Sequence, residues 1–233
     1  MAVIRNLVLI CAAVLGLTSC GPGTERPLRP ESPTSGITPG QQAPRLTPPA
    51  PLLSSPASGP PVPPREAQAA LDRRLVQAAK ANDVGQVAEL IRAGGNVNAK
   101  DAIQDSAFLY AGAEGFNEVL RLTLANGADV SSTNRYGGTA LIPASEHGHV
   151  ETVRILIEAG VPVNHVNNLG WTALQEAILL NNGGPQQQDV VRQLLAAGAD
   201  PTIPDRQGRT ALENANRLGY EEIVNIIQTG RNG

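Results

Sequence analysis

The residues that most invite a chemical reading are His147-Gly148-His149-Val150-Glu151, with His165 further on, and they hold all 3 histidines of the 233-residue chain. Two imidazoles and a carboxylate can ligate a divalent metal, which could then activate water for hydrolysis. Each residue also has a plainer role. Glu151 suits the first turn of a helix, where its charge meets the positive end of the helix dipole. His147 lies before the glycine, so its direction differs from that of His149. Nothing else supports catalysis: the sequence has no G-x-S-x-G elbow, no phosphate-binding glycine loop and no Cys/His metal cluster. The chain is read as a non-enzyme, with no cofactor and no metal.

The other residue with chemistry to offer is Cys20. Met1 to Asn6 carries one positive charge, Arg5, and Leu7 to Leu17 is apolar but too short to span a bilayer. Small residues then close the stretch, the pattern of a signal peptide. Leu17-Thr18-Ser19-Cys20 resembles the lipobox of bacterial lipoproteins. The resemblance implies a signal peptide over 1–19, cleavage before Cys20, and a diacylglyceryl thioether with an N-acyl chain on that cysteine. Several acyl chains hold a membrane better than one. The alternatives are an ordinary secretory signal with an incidental cysteine, or a retained N-terminal anchor. The lipobox implies a bacterial source and a lipid-anchored place in the cell envelope, outside the cytoplasm. Gly21 permits the outer membrane of a Gram-negative cell; in a Gram-positive cell the anchor would be the outer leaflet of the only membrane. Cys11, the only other cysteine, falls in the discarded peptide, so the folded part has no disulfide.

Residues 20–66 form a tether. Of the 19 prolines, 14 lie between Pro22 and Pro64, among Ser, Thr, Gly and Ala. So little apolar bulk cannot offset the entropy of ordering, and a partly polyproline-II coil is expected. Its span would be roughly 40 Å as a flexible coil and about 140 Å fully extended.

From Ala67 onward a beat appears. Thr139-Ala140-Leu141, Thr172-Ala173-Leu174 and Thr210-Ala211-Leu212 mark it, with Ser106-Ala107-Phe108 a weaker copy. A glycine after a Leu/Ile-rich run recurs at Gly94, Gly127, Gly160 and Gly198, at spacings of 33, 33 and 38. A period of this size means stacked supersecondary units, each needing its neighbours to bury its apolar face. Every unit reads as a turn, a short helix, a glycine break and a longer helix. Thr139 is expected to cap the first helix of its unit. Thr172 with Gln175, and Thr210 with Glu213, match capping boxes. Gly115, Gly148 and Gly219 stand where a left-handed residue is needed, and Asn82 takes that place in the first unit.

Gly137, Thr139, Leu141, Ala144, Gly148, His149 and Gly160 resemble the ankyrin repeat, as do Gly127-Ala128-Asp129-Val130 and Gly198-Ala199-Asp200-Pro201. The resemblance covers about residues 71–230. It implies an all-α solenoid of about five helix-turn-helix units in the domain 67–233. Their bounds are about 67–101, 102–134, 135–167, 168–205 and 206–230, the first and last being caps. The family's T-P-L-H core is altered here, with Ala for Pro and Ile142, Gln175 and Glu213 for His, so the hydrogen-bond network that the histidine supplies in the family is not expected to carry over. Five extra residues fall within 181–188 of unit four, where two glycines and Pro185 predict a bulging loop, either a contact loop or a tolerated insertion.

Ankyrin arrays usually bind partner proteins with their turn tips and first helices. On this sequence the tips are Ile103 and Asp105, Arg135 and Tyr136, Leu169 and Trp171, and Gln207 and Arg209; the adjacent helix positions include Glu146 and His147. Tyr136, Trp171 and the arginines are the residue types that dominate interfaces, although Tyr136 and Trp171 could instead pack between fingers. Leu179 and Leu180 are expected to face the core. Nucleic acid is an unsuitable partner, because 67–233 holds 13 Lys/Arg against 18 Asp/Glu and no basic stripe. The expectation is a monomeric scaffold, joined to the membrane only through its lipid, that binds a partner protein such as an envelope enzyme. The alternative is an immunity protein that neutralises an envelope-targeting toxin.

Overall fold

The computed structural model describes residues 65–230. The expected signal peptide, Cys20 and most of the expected tether lie outside the described residues. Ten helices follow in order: α1 (Arg65–Lys80), α2 (Val84–Arg92), α3 (Ala107–Glu114), α4 (Asn117–Ala125), α5 (Leu141–Glu146), α6 (Val150–Glu158), α7 (Ala173–Leu179), α8 (Pro185–Ala196), α9 (Ala211–Leu218) and α10 (Glu221–Gly230). They form five antiparallel pairs, and the described residues contain no strand. The solenoid expectation holds.

Packing follows the beat. Leu75, Phe108, Leu141 and Leu174 occupy equivalent first-helix positions and are fully buried. Ala111, Ala144, Ala177 and Ala215 recur three residues later, also fully buried. Small side chains there let neighbouring first helices approach closely. A Cβ on Gly112 would lie 2.8 Å from the Ala140 Cβ. Second helices supply Val87, Leu120, Val153, Val191 and Ile227 from the other side. One core therefore runs the length of the stack, as burial of apolar surface across unit boundaries requires.

Both ends depart from the repeat. α1 runs for 16 residues, against 8 in α3 and 6 in α5. Where other units turn, unit one has Glu66-Ala67-Gln68-Ala69-Ala70, all helix formers. The helix thus starts inside the stretch assigned to the tether. At the other end, Asn216 replaces Ile178 at the equivalent position and is exposed where Ile178 is buried. That substitution ends the stack with a polar face.

The caps are mixed. Ser106 accepts from the Leu109 N–H at 3.2 Å. Thr210 and Glu213 form the full capping box. Thr172 accepts from the Gln175 N–H at 3.2 Å, but the Gln175 side chain does not return the bond. It donates instead to the carbonyls of Ile203 and Arg209, at 3.1 and 3.2 Å, and accepts from Asn214 Nδ2 at 3.0 Å. Gln175 thereby supplies a buried link from unit four to unit five in place of the family's histidine. Thr139 does not cap: its Oγ1 is buried without a hydrogen-bond partner, and α5 opens at Leu141 after a helical Ala140. The break positions behave as expected, with φ of +54° at Asn82, +75° at Gly115, +69° at Gly148 and +72° at Gly219.

The insertion is not a bulging loop. Pro185 is the first residue of α8, where its missing N–H is needed least and its fixed φ suits the helix. α8 therefore spans 12 residues against 9 in α6, and most of the extra sequence is one more helical turn. That turn is anchored on both sides. Gln187 is buried over Gly148, whose added Cβ would meet its Nε2 at 2.7 Å. Asn181 Nδ2 donates to the Glu146 carbonyl, and the Tyr220 hydroxyl donates to the Asn181 carbonyl. The insertion ties unit three to unit five across unit four.

Candidate functional site

Four protruding turns precede the helix pairs of units two to five, and the same device builds each. Asp101, Asn134, Asn167 and Asp205 each accept, through Oδ1, from the backbone N–H groups two and four residues on, at 2.9 to 3.1 Å. The first residue's own N–H closes a reciprocal bond, as from Asn134 to the Gly138 carbonyl at 2.9 Å. Asp and Asn are suited to this because a short side-chain oxygen mimics a backbone acceptor. The fourth residue of each turn is left-handed: Gln104 (+66°), Gly137 (+71°), Gly170 (+83°) and Gly208 (+77°).

The third residue is thereby pushed outward, in register from unit to unit. It is Ile103, Tyr136, Leu169 and Gln207. The first three are among the most exposed large apolar side chains described, at 48 %, 48 % and 45 % of their full area. Val166, at 44 %, lies beside Leu169 and was not foreseen. The second residue is Ala102 in the first of these turns and polar in the other three: Arg135, Asn168 and Arg206. The turns touch one another directly. An added Cβ on Gly137 would meet Asn168 Oδ1 at 2.5 Å, and one on Gly170 would meet Arg206 Cγ at 2.6 Å. The Asn168 N–H donates to the Tyr136 carbonyl at 2.9 Å. The Arg135 guanidinium covers the Tyr136 ring, 4.5 Å from its centroid.

Other expected tip residues are less exposed. Asp105 is only 8 % exposed and lies between Lys80, at 3.5 Å, and Arg135, at 3.8 Å. Lys80 also pairs with Asp101 at 2.6 Å and stands 5.1 Å over the Tyr110 ring. This charged ladder joins units one, two and three. Arg209 pairs with the buried Asp205 at 3.2 Å and donates to Gln207 Oε1 at 3.0 Å. Burial tends to raise the Asp205 carboxyl, yet hydrogen bonds from Asn214 Nδ2, the Arg209 N–H and the Arg209 guanidinium outweigh it and hold the group at about 2. Trp171 is half-buried beneath the tip row. Leu180 does not face the core; it is 46 % exposed at the end of α7, because the helix stops at Leu179.

The histidine constellation disperses. His147 Nδ1 bonds to the Ala113 carbonyl at 2.9 Å, and His165 Nε2 bonds to the Gly137 carbonyl at 2.6 Å. His149 is half-buried under Gly115, edge-on to His147, and burial followed by the nearby His147 lowers its pKa. Glu151 is engaged by Arg121 and Arg154, at 2.6 and 2.7 Å. Among the described residues, no three His, Cys, Asp or Glu side chains converge as metal ligands.

One titratable group on the inner helices escaped sequence reasoning. Glu176, on α7, is 5 % exposed, and its Oε1 accepts from Asn167 Nδ2 at 2.7 Å. Burial, and then the Glu146 carboxylate on α5, raise its pKa to about 7 against the hydrogen bond. The bond ties the turn of unit four to the helix beneath it.

Paired antiparallel helices, stacked in register with a hairpin-like turn projecting from each unit, define a repeat solenoid of the kind used as an interaction scaffold. A family model for ankyrin repeats, spanning three copies, matches residues 75–164 and 108–205. The chain belongs to the ankyrin-repeat family, whose members generally mediate protein–protein interaction and are generally not enzymes. It is similar to the crystal structure of an ankyrin repeat domain from Acinetobacter baumannii AYE: 58 % identity, TM-score 0.66, covering 67 % of this chain and 80 % of that one. It is similar also to the ankyrin repeat protein EF0377: 43 % identity, TM-score 0.64, covering 66 % and 78 %. A putative ankyrin repeat protein of Escherichia coli (strain K12), YahD, is 48 % identical over 54 residues, which span 23 % of this chain and 27 % of that protein.

Proposed function

We propose that this protein is a monomeric scaffold, anchored to an envelope membrane by lipid on Cys20 outside the cytoplasm, that docks a partner protein on its turn tips. The observation that carries the docking face is the row Ile103, Tyr136 and Leu169, three large apolar side chains held outward at one register position of successive units. Exposed apolar side chains in line, on a framework whose neighbouring turns are bonded together, lose little entropy on binding. Glu146 and His147 extend the face onto the first helices, and Gln207 ends it. Asp105, Trp171 and Arg209 contribute by holding the turns. The lipobox-like Leu17-Thr18-Ser19-Cys20 supports the anchor. An envelope enzyme is the leading kind of partner.

The test is a cross-linked pull-down from native envelopes, comparing wild type with a Tyr136→Ala/Leu169→Ala double variant. A protein recovered with wild type and lost with the variant supports the reading. Equal recovery by both removes the docking face from the turns. Membrane fractionation of Cys20→Ala addresses the anchor separately: release of the variant into the soluble fraction is expected, and unchanged retention contradicts lipidation.

A further inference from the structure

The turn row carries more information than its exposure. The domain is acidic as a whole, yet the four turn segments 100–106, 133–139, 166–172 and 204–210 hold four cations against three carboxylates, Asp101, Asp105 and Asp205. Those carboxylates are buried or half-buried, and each pairs internally with Lys80 or Arg209. Lys100 and Arg206 make no close ion pair among the described residues, although Lys100 acts on the Asp129 carboxylate; they reach the Thr133 and Asn168 carbonyls of neighbouring turns. Arg135 stays 42 % exposed beside its long pair with Asp105. Three cations, Lys100, Arg135 and Arg206, thus stand beside the apolar row. They are spread over separate loops, so no linear run of the sequence displays them.

At one end the row opens into a groove of about 960 Å³ between the extended α1 and the turn of unit two. Ala69, Ala70, Ala99 and Ala102 line its floor, and Ile103 is shared with the row. Its lining also carries the cations Arg73, Arg74 and Lys100 against the carboxylates Asp72 and Asp101. Both arginines are exposed and lack an ion pair among the described residues. The groove exists because α1 continues where other units turn, so it belongs to this chain's own N-terminal cap.

Spacing limits the occupant. Packed helices lie 8–10 Å apart, so successive tips repeat at roughly 10 Å. A chain extended as polyproline II rises about 3.1 Å per residue with three residues per turn, which places every third side chain on one face, opposite a new tip. We infer that the partner is bound through an extended acidic and apolar segment. Its apolar side chains fall at about every third residue on Ile103, Tyr136 and Leu169. Its carboxylates meet Arg135 and Arg206, and one end enters the groove under Arg73 and Arg74. This rests on the docking face proposed above and adds the chemistry of the ligand.

The test selects peptides of about twelve residues from a random displayed library on the full chain. Binders are then measured against wild type and an Arg135→Glu/Arg206→Glu variant, at low and high salt. The expected binders carry Asp or Glu between apolar residues spaced by three. They weaken by about tenfold or more on charge reversal and lose affinity with salt. Binders that are basic, lack the spacing, or bind the variant equally overturn the inference. So does an empty selection, or binding only to phosphatidylglycerol vesicles tested in parallel. If the native partner is still lost from Tyr136→Ala/Leu169→Ala while the selection fails, the docking face stands and this ligand chemistry falls.

Discussion

Replacing Glu176 by Gln should stabilise this protein at pH 8 and do little at pH 5. The carboxyl is 5 % exposed, and its folded pKa of about 7 lies above the usual 4.5. A raised acid binds its proton more tightly when folded. Its favourable contribution is complete below about pH 4.5 and is lost as pH rises through 7. The shift corresponds to about 3 kcal/mol at most, with about 1–3 kcal/mol expected once the site relaxes. Gln keeps an oxygen to accept from Asn167 and carries no charge to bury. Urea midpoints at pH 5 and pH 8 by circular dichroism give the comparison. His149, whose folded pKa is lowered, pulls wild-type stability the other way across this range, so the difference between wild type and variant is the quantity to read. A variant no more stable than wild type at pH 8, with equal pH dependence, would refute the account of a destabilising buried charge. Glu146→Gln should reproduce part of the effect, since the Glu146 carboxylate is the second cause of the shift.

Other substitutions test the turns and the links between units. Gln104→Gly removes a side chain from a left-handed position and should stabilise by up to about 1 kcal/mol, read from thermal midpoints. Gln175→Leu leaves two carbonyls and Asn214 without their buried partner and should cost about 1–3 kcal/mol, loosening unit five first in hydrogen exchange. Tyr136→Ala and Leu169→Ala each remove exposed surface and should change stability by less than about 0.5 kcal/mol, in contrast to Leu141→Ala at about 2–5 kcal/mol.

The period made the architecture legible, because the same apolar and glycine positions recur where packing and chain reversal demand them. Leu141 with Leu174, and Gly115 with Gly148, could be placed from sequence alone. What failed was the direction of individual side chains. Thr139 has the residue type of a cap, but the helical Ala140 shifts the helix start and leaves its hydroxyl buried. Gln175 fits a capping box, yet carbonyls of the next unit compete for its amide. Gly183-Gly184-Pro185 reads as a break, although proline is well suited to open a helix. At the turns, Ile103, Tyr136 and Leu169, placed there by the family resemblance, are exposed, and Tyr136 does not bury itself between fingers. Asp105 is drawn inward because its partner Lys80, 25 residues earlier, becomes a neighbour only when the stack forms, whereas Arg209 is held by Asp205 within its own turn. The altered T-P-L-H motif put the family's histidine network in question without pointing to the Gln175 link, and nothing in the linear sequence marked Glu176.

The most direct test of the docking face is site-specific photo-cross-linking in native envelopes. A photoreactive side chain is placed at position 136, on a turn, or at position 118, exposed on α4. The account predicts a discrete cross-linked partner from 136 and none from 118. A partner captured from 118 alone, or equally from both positions, would contradict it.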